Sequence, residues 1–530
     1  MHHTGPFTIR EIRDIVPKPL KPWLMFFFFI IFQFSGGVYM AAVTEMSGGL
    51  ALMQEDILMA GFASLVGLAL TFTVMFRLKF RFSTKMALLI STIGLIVSNF
   101  ICMNTSHVAL LVAVSFVSGF FRMWGTFACN SAIQLWVTPK RDMAVWFCYI
   151  QFFVQAFLQL SGLTTIYISL LLKWEFMHWF IIGALGCMLL FIVVFFEHKQ
   201  TLPKKLPLYG IDWLGAALWA VTLLCAIFVL NYGEYYDWYE SYAIWTGTFV
   251  ACAALVLNLW RASFIRHPFI ANQTWRYRNV WLTLLLLIVV NILMSPAHEF
   301  EHILTGGILG YDAMHIVSLN WYVLLGMFIG ALFMYVTFAL RKWKYKTMTL
   351  IGFTLLVSYL AIMYFIIDYN LPKSMLFLPL LLRGIGYITI TITFITALSV
   401  VPFQYFAQTL TIQAFISACC GSLLGSAVLT HIFRAVSQKN FMLLSTNLDR
   451  VNTLAAHYSP QQLYGSLQQQ TMLVSMKEIY GWLCIAGVFC IIVFMLKEST
   501  LRPKSLHPKF STIRRYFKHE LKIERLIKQE

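Results

Sequence analysis

Apolar runs of membrane-spanning length recur along almost the whole chain, and no other feature limits its folding as tightly. Crossing roughly 30 Å of hydrocarbon takes about 20 apolar residues in a helix. Fourteen stretches qualify: 23–44, 57–76, 86–104, 108–136, 143–169, 176–196, 213–231, 241–260, 279–303, 316–338, 347–367, 375–400, 409–433 and 479–496. Each must be helical, because hydrocarbon offers no partner to an unpaired backbone group. Composition closes off the alternatives. Apolar residues make up 59% of the chain, charged residues 12%, and mean hydropathy is +0.75. Forty-seven Phe and sixteen Trp have no water-soluble core of this size to enter. The expectation is an all-α polytopic membrane protein, not a secreted, nucleic-acid-binding or disordered one.

Charge placement tests that count. The net charge of +17 reflects basic loops facing the cytoplasm rather than a nucleic-acid partner. With both termini inside, 31 Lys and Arg fall in inner segments, six in outer loops, and two, Arg122 and Arg383, within spans. A missed span would scramble this alternation, so fourteen crossings with cytoplasmic ends are expected. The first 22 residues, with Pro17, Pro19 and Pro22, do not read as a cleavable signal. The basic tail 497–530 (Arg514, Arg515, Lys518) reads as an anchor on anionic headgroups. Segment 434–477 reads as a long external loop, with a short helix expected in its Gln-rich run Gln461–Gln470. All ten cysteines lie in apolar segments without a CxxC, so neither a disulfide framework nor a zinc site is read; adjacent Cys419 and Cys420 read as small packing residues.

An internal repeat follows. Gly119, Pro139, Ala144 and Gly162 match Gly384, Pro402, Ala407 and Gly425, with the Pro-to-Ala and Pro-to-Gly steps shared. Basic loops precede both copies: Arg77, Lys79, Arg81 and Lys85, then Arg341, Lys342, Lys344 and Lys346. Two six-helix halves, 23–196 and 279–496, are expected around two extra central helices within 197–278. Repeated halves facing a midplane site are the build of a secondary transporter.

Several motifs match a known pattern. Asp212-Trp213-Leu214-Gly215 opens the seventh span, followed by Gly233, Trp238, Pro268-Phe269 and Arg278. Trp174 with Phe176, Gly310-Tyr311-Asp312, Gln470 and Glu478 fit as well. On these the chain resembles the major facilitator superfamily, specifically the fourteen-span drug:proton antiporters of the EmrB/QacA type. The resemblance covers nearly the whole chain and implies the major-facilitator fold with two pseudo-symmetric halves. It implies proton-coupled efflux of amphipathic compounds across the cell membrane, the inner membrane if the source is Gram-negative. A periplasmic adaptor and an outer-membrane channel would then be partners, besides the solute, protons and the bilayer. There are departures. The 77–85 loop keeps only its basic charges (Arg77, Lys79, Arg81), and Gly162 alone remains of the fifth-span motif. The family's fourth-span arginine would fall at Ser115; Arg122 lies seven residues on, two turns along the same face.

Charges at membrane depth are functional candidates, because burying one unpaired is costly. Arg122 is read as a binding or proton-coupling residue against the plainer reading of a structural arginine; for Arg383 the plainer reading is a side chain snorkelling outward. Glu45 near the outer end of span 1, and His298, Glu299, Glu301 and His302 near that of span 9, form an outer titratable cluster. Carboxylates and imidazoles in a partly dry cavity can titrate near neutrality, as a proton-coupled cycle requires; the alternative is a wet, solvated mouth. Conformational candidates are Arg77, Lys79, Arg81, Asp212, Gly162 and Gly425. Aromatics such as Trp124, Phe127, Trp146, Tyr149, Phe152 and Phe153 read as packing or lipid-facing, some of them lining an apolar cavity. No nucleotide-binding loop is present, so ATP is not the expected drive, and no resident cofactor or metal is expected. Two rivals stay open: a facilitator or metabolite transporter without proton coupling, and an intramembrane metalloprotease. The latter rests on His298-Glu299-Phe300-Glu301-His302, which satisfies HExxH.

Overall fold

The computed structural model describes residues 11–139, 142–197, 207–417, 421–446 and 459–496. Outside them lie Lys140, Arg141, most of the 197–211 loop, Cys419-Cys420 and the basic tail. Among the described residues the regular structure is helical, apart from one isolated antiparallel bridge between Ile12 and Phe196. The helices are α1 (Leu20–Phe34), α2 (Val43–Leu50), α3 (Gln54–Arg81), α4 (Thr84–Asn104), α5 (Val108–Val137), α6 (Met143–Leu171), α7 (Glu175–Phe195), α8 (Trp213–Tyr232), α9 (Tyr242–Phe264), α10 (Arg278–His302), α11 (Ala313–Met334), α12 (Tyr345–Ile366), α13 (Phe377–Leu398), α14 (Phe403–Phe415), α15 (Gly421–Ser445) and α16 (Pro460–Leu496). Short polar connections stop and restart them. Ser83, Asp142 and Asp212 each accept a bond from an N–H in the first turn that follows.

Among the described residues twelve helices, α3 to α13 and α16, are long and apolar enough to cross a membrane. Fourteen was expected, and spans 1 and 13 make the difference. Span 1 is broken: α1 has 15 residues, about 22 Å at the helical rise, and stops at Ser35-Gly36-Gly37. The Ser35 hydroxyl bonds back to the Phe32 carbonyl at 2.9 Å, and two glycines favour no helix beyond it. Span 13 is divided between α14 and α15, with residues 418–420 outside the described part.

The expected external loop is corrected too. α15 continues to Ser445, and the Gln-rich run is no separate helix but the first turns of the 37-residue α16. Ser459 and Gln462 form a reciprocal cap, with Gln462 N to Ser459 Oγ at 3.3 Å and Ser459 N to Gln462 Oε1 at 3.1 Å. Pro460 follows the cap, so the helix starts there and runs unbroken into its apolar part. Asn440 Nδ2 bonds Glu478 Oε2 at 3.1 Å, tying α15 to α16.

The described chain divides into two compact units. One holds the residues up to Leu284 with 395–417; the other holds Leu285–Phe394 with 421–496. In the first, α5 packs on α1, α3 and α4, α8 and α9 pair with each other, and α8 and α14 lie on α3. Gly67 and Gly119 let α3 and α5 cross backbone to backbone. A Cβ on either would collide with a carbonyl of the other helix, Phe116 or Ser64. The second unit repeats this contact between α11 and α13: a Cβ on Gly326 would strike the Leu381 carbonyl, and one on Gly384 that of Val323. Gly119 and Gly384, matched in sequence, thus make the same crossing in their own units.

Candidate functional site

In the first unit the break after α1 leaves carbonyls that a continuing helix would have used. Phe32 O accepts from Ser35 and Phe34 O from the Gly36 N–H. Gln33 O accepts from Arg122 Nη2 at 2.7 Å, while the Gln33 amide reaches Thr126 Oγ1 at 3.3 Å. Arg122 sits midway along α5 and is 8% exposed. Its Nε has no partner, and among the described residues no carboxylate pairs with it.

A buried polar group lies alongside. Tyr39 donates to Asn99 Oδ1 at 2.8 Å, and His178 Nδ1 lies 3.2 Å from the same oxygen. The His178 ring meets Tyr39 and Trp174 edge-on at 5.0 and 5.8 Å, and its Nε2 is unpartnered. Sequence reasoning missed this group. The available signal was one imidazole, His178, inside the sixth apolar run. Glu45 lies in the first turn of α2, beyond the break, half-buried and outside both groups.

In the second unit Glu301, one residue before the end of α10, is the centre. Arg383 Nη1 lies 2.5 Å from Glu301 Oε1, and the Tyr359 hydroxyl donates to the same oxygen at 2.8 Å. The Arg383 guanidinium also stands over the Tyr359 ring at 5.7 Å. Arg383 is 8% exposed, so it is paired and buried rather than snorkelling. After His302 the backbone loosens into a π-helical turn, Ile303–Ile308, a form often found at functional positions. Beside it opens a cavity of about 150 Å³ lined by His298, Glu301, His302, Thr305 and Asn320 among apolar side chains. His298 and His302 are both among its lining residues. Glu299 instead bonds Ser426 on α15. The protease reading needs Glu299 and both imidazoles around one ion. Glu299 is engaged elsewhere, and among the described residues no three His, Cys, Asp or Glu converge.

Asp212 caps α8 through the Gly215 N–H at 2.9 Å, grips both Nη atoms of Arg261 at 2.6 and 2.8 Å, and accepts from Phe269 N at 3.1 Å. Thus Asp212, Gly215 and Phe269, three pieces of one sequence motif, form a single clamp across α8, α9 and the following loop. Arg77 lies against Gly210, Lys79 Nζ stands 5.8 Å over the Phe127 ring, and Arg81 ends α3. Gly425 brings α15 onto α10, where a Cβ would come within 3.1 Å of Asn291 O; a Cβ on Gly162 would meet only Ala41 at 3.8 Å. The repeat's two outer glycines are therefore not equivalent in packing.

No protein-family description matches the sequence, and no curated protein matches it. Solved structures do share the fold. The human organic anion transporter MFSD10 (TETRAN) aligns over 90% of this chain and 100% of its own, at 12% identity and a TM-score of 0.50. The nucleoside transporter NupG aligns over 90% and 100%, at 11% identity and 0.50. A structure described for substrate recognition in proton dependent oligopeptide transporters aligns over 90% and 97%, at 10% identity and 0.56. At such identities the likeness is one of fold. The chain shares the helical architecture of these transporters, and the three differ too much in cargo to indicate a solute.

Proposed function

We propose that this chain, built on the fold of major-facilitator transporters, is a proton-coupled secondary transporter of small organic solutes. One observation carries the reading: Glu301 Oε1 is shared by Arg383 and Tyr359 at the wall of a cavity that His298 and His302 also line. As a carboxylate, Glu301 holds Arg383. Protonated, it loses most of its attraction for the guanidinium, and α13 is freed from α10. Glu301 retains 20% side-chain exposure and lines the cavity together with His298 and His302. A buried charge pair broken by one proton is a two-state element of the kind an alternating-access cycle needs.

Export is the direction the sequence resemblance favours, with amphipathic compounds as cargo. In this reading the halves are 23–196 and 279–496, the pair within 213–260 is an addition, and both chain ends face the cytoplasm. The test is purified protein in liposomes under an imposed pH gradient, with a panel of dyes and drugs. Solute flux should follow the gradient in the wild type. Glu301→Gln, which cannot release or take up a proton, should keep gradient-independent exchange and lose gradient-driven accumulation. Equal gradient dependence in both proteins would remove Glu301 from the coupling. Flux independent of the gradient for every compound would leave a facilitator.

A further inference from the structure

The repeat places two positions in register that the chain fills differently. Gly119 and Gly384 make equivalent crossings, so the residue before each is equivalent as well: Ser118 in the first unit, Arg383 in the second. Arg383 is met by the Glu301 carboxylate from the first long helix of its unit. Ser118 is met by Gly37, just past the break in α1; a Cβ there would lie 3.0 Å from Ser118 Oγ. The cation has moved one turn on, to Arg122, on the same face of α5. Among the described residues no carboxylate pairs with it there. Gly36 stands beside Arg122, with Nη1 3.8 Å from where its Cβ would be. Ser118 Oγ and Arg122 Nε are both buried and both without a partner, although each is a hydrogen-bond donor.

A guanidinium that deep, held by one backbone carbonyl and by no counter-charge among the described residues, is a costly arrangement. Two orphaned donors one turn apart make the cost larger. A single ligand removes both terms. We infer that the first unit binds a carboxylate of the transported solute at Arg122 and Ser118, where the second unit supplies its own carboxylate as Glu301. The guanidinium donates to the anion in a charge-assisted contact, and the Ser118 hydroxyl gives a second hydrogen bond. The glycine pair 36–37 provides the backbone freedom with which the end of α1 draws back to admit it. The inference rests on the transport reading and narrows its cargo to organic anions.

Binding without any gradient tests it separately from coupling. Wild-type protein in nanodiscs is heated with benzoate, with the uncharged isostere benzamide, or with chloride. Benzoate should raise Tm as a ligand of the folded state does, and benzamide should not. Arg122→Gln should abolish the benzoate response, and Arg122→Lys, which keeps charge but not the planar fork, should weaken binding about tenfold. Ser118→Ala should weaken it roughly threefold to tenfold. In benzoate-free buffer Arg122→Gln should melt above the wild type, since an uncompensated charge has gone. A variant melting below the wild type would make Arg122 a strut for the Gln33 carbonyl and overturn the site. So would the absence of a benzoate response, or an equal response to benzamide. Chloride matching benzoate would make it an inorganic-anion site and overturn the assignment to the solute. Failure of Glu301→Gln to alter coupling would leave these results untouched.

Discussion

Asp212 binds two backbone N–H groups and both Nη atoms of Arg261, and so titrates unlike a surface carboxylate. Burial alone would push its carboxyl up, but the hydrogen bonds from Arg261, Gly215 and Phe269, with the Arg261 charge, outweigh it and hold it below the usual carboxylate range. A depressed folded value means stability that is present above the unfolded value of about 4 and lost as pH falls through the folded one. Asp212→Asn should therefore cost about 2 kcal/mol near neutral pH, with the Tm gap to the wild type constant over about pH 5 to 8 and closing only in stronger acid. A gap that closes near pH 6 would place another group in control. At this scale Arg122, Arg383 and Glu301 were legible in the sequence because ionisable groups in apolar runs are rare. Their partners were not. Tyr359 looks like any span aromatic, and the Gln33 carbonyl is a backbone atom with no sequence signature.

Helices here are held by glycine crossings and ended by local chemistry, and the two differ in how they tolerate change. A methyl added at Gly119 or Gly384 meets a backbone carbonyl, which no rotamer change can relieve. Gly119→Ala and Gly384→Ala should each cost about 3 kcal/mol and reduce the yield of monodisperse protein. Gly183→Ala and Gly186→Ala, in α7 with open space around both, should be neutral or gain up to about 1 kcal/mol from helix propensity. Comparing melting and size-exclusion profiles of the four variants checks the pair against the controls. Helix interiors were readable because apolar length is a sum over many residues. The break at Ser35-Gly36-Gly37 was not, since three residues scarcely alter a twenty-residue average. The cap at Ser459 to Gln462 is written in the sequence as S-P-Q-Q, and the helix expected in the Gln-rich run differs from α16 in its length, because polar turns lower the hydropathy that marks a span.

For the whole molecule the count of crossings turns on two places, the broken span 1 at α1 and span 13 divided between α14 and α15. Fourteen crossings with cytoplasmic ends put Tyr209 inside and Tyr464 outside, and both are well exposed, at 65% and 59%. On a background cleared of the natural thiols, an impermeant maleimide should label Tyr464→Cys in intact cells and Tyr209→Cys only after permeabilisation. Protection of the 464 position would mean that α14 and α15 make no crossing. Labelling of position 209 from outside would remove the topology altogether.

The sequence alone determined the solvent of this protein, its helical content, the rough limits of most spans and the duplicated glycines. These are local or additive properties: transfer free energy summed along a run, and backbone groups that must find partners within it. Tertiary structure decided which charges are paired. Glu301 meets Arg383 across 82 residues of chain and Tyr359 across 58, while Arg122 meets Gln33 across 89. Pair energies depend on distances of a few ångströms between helices far apart in sequence, and only folding sets those distances.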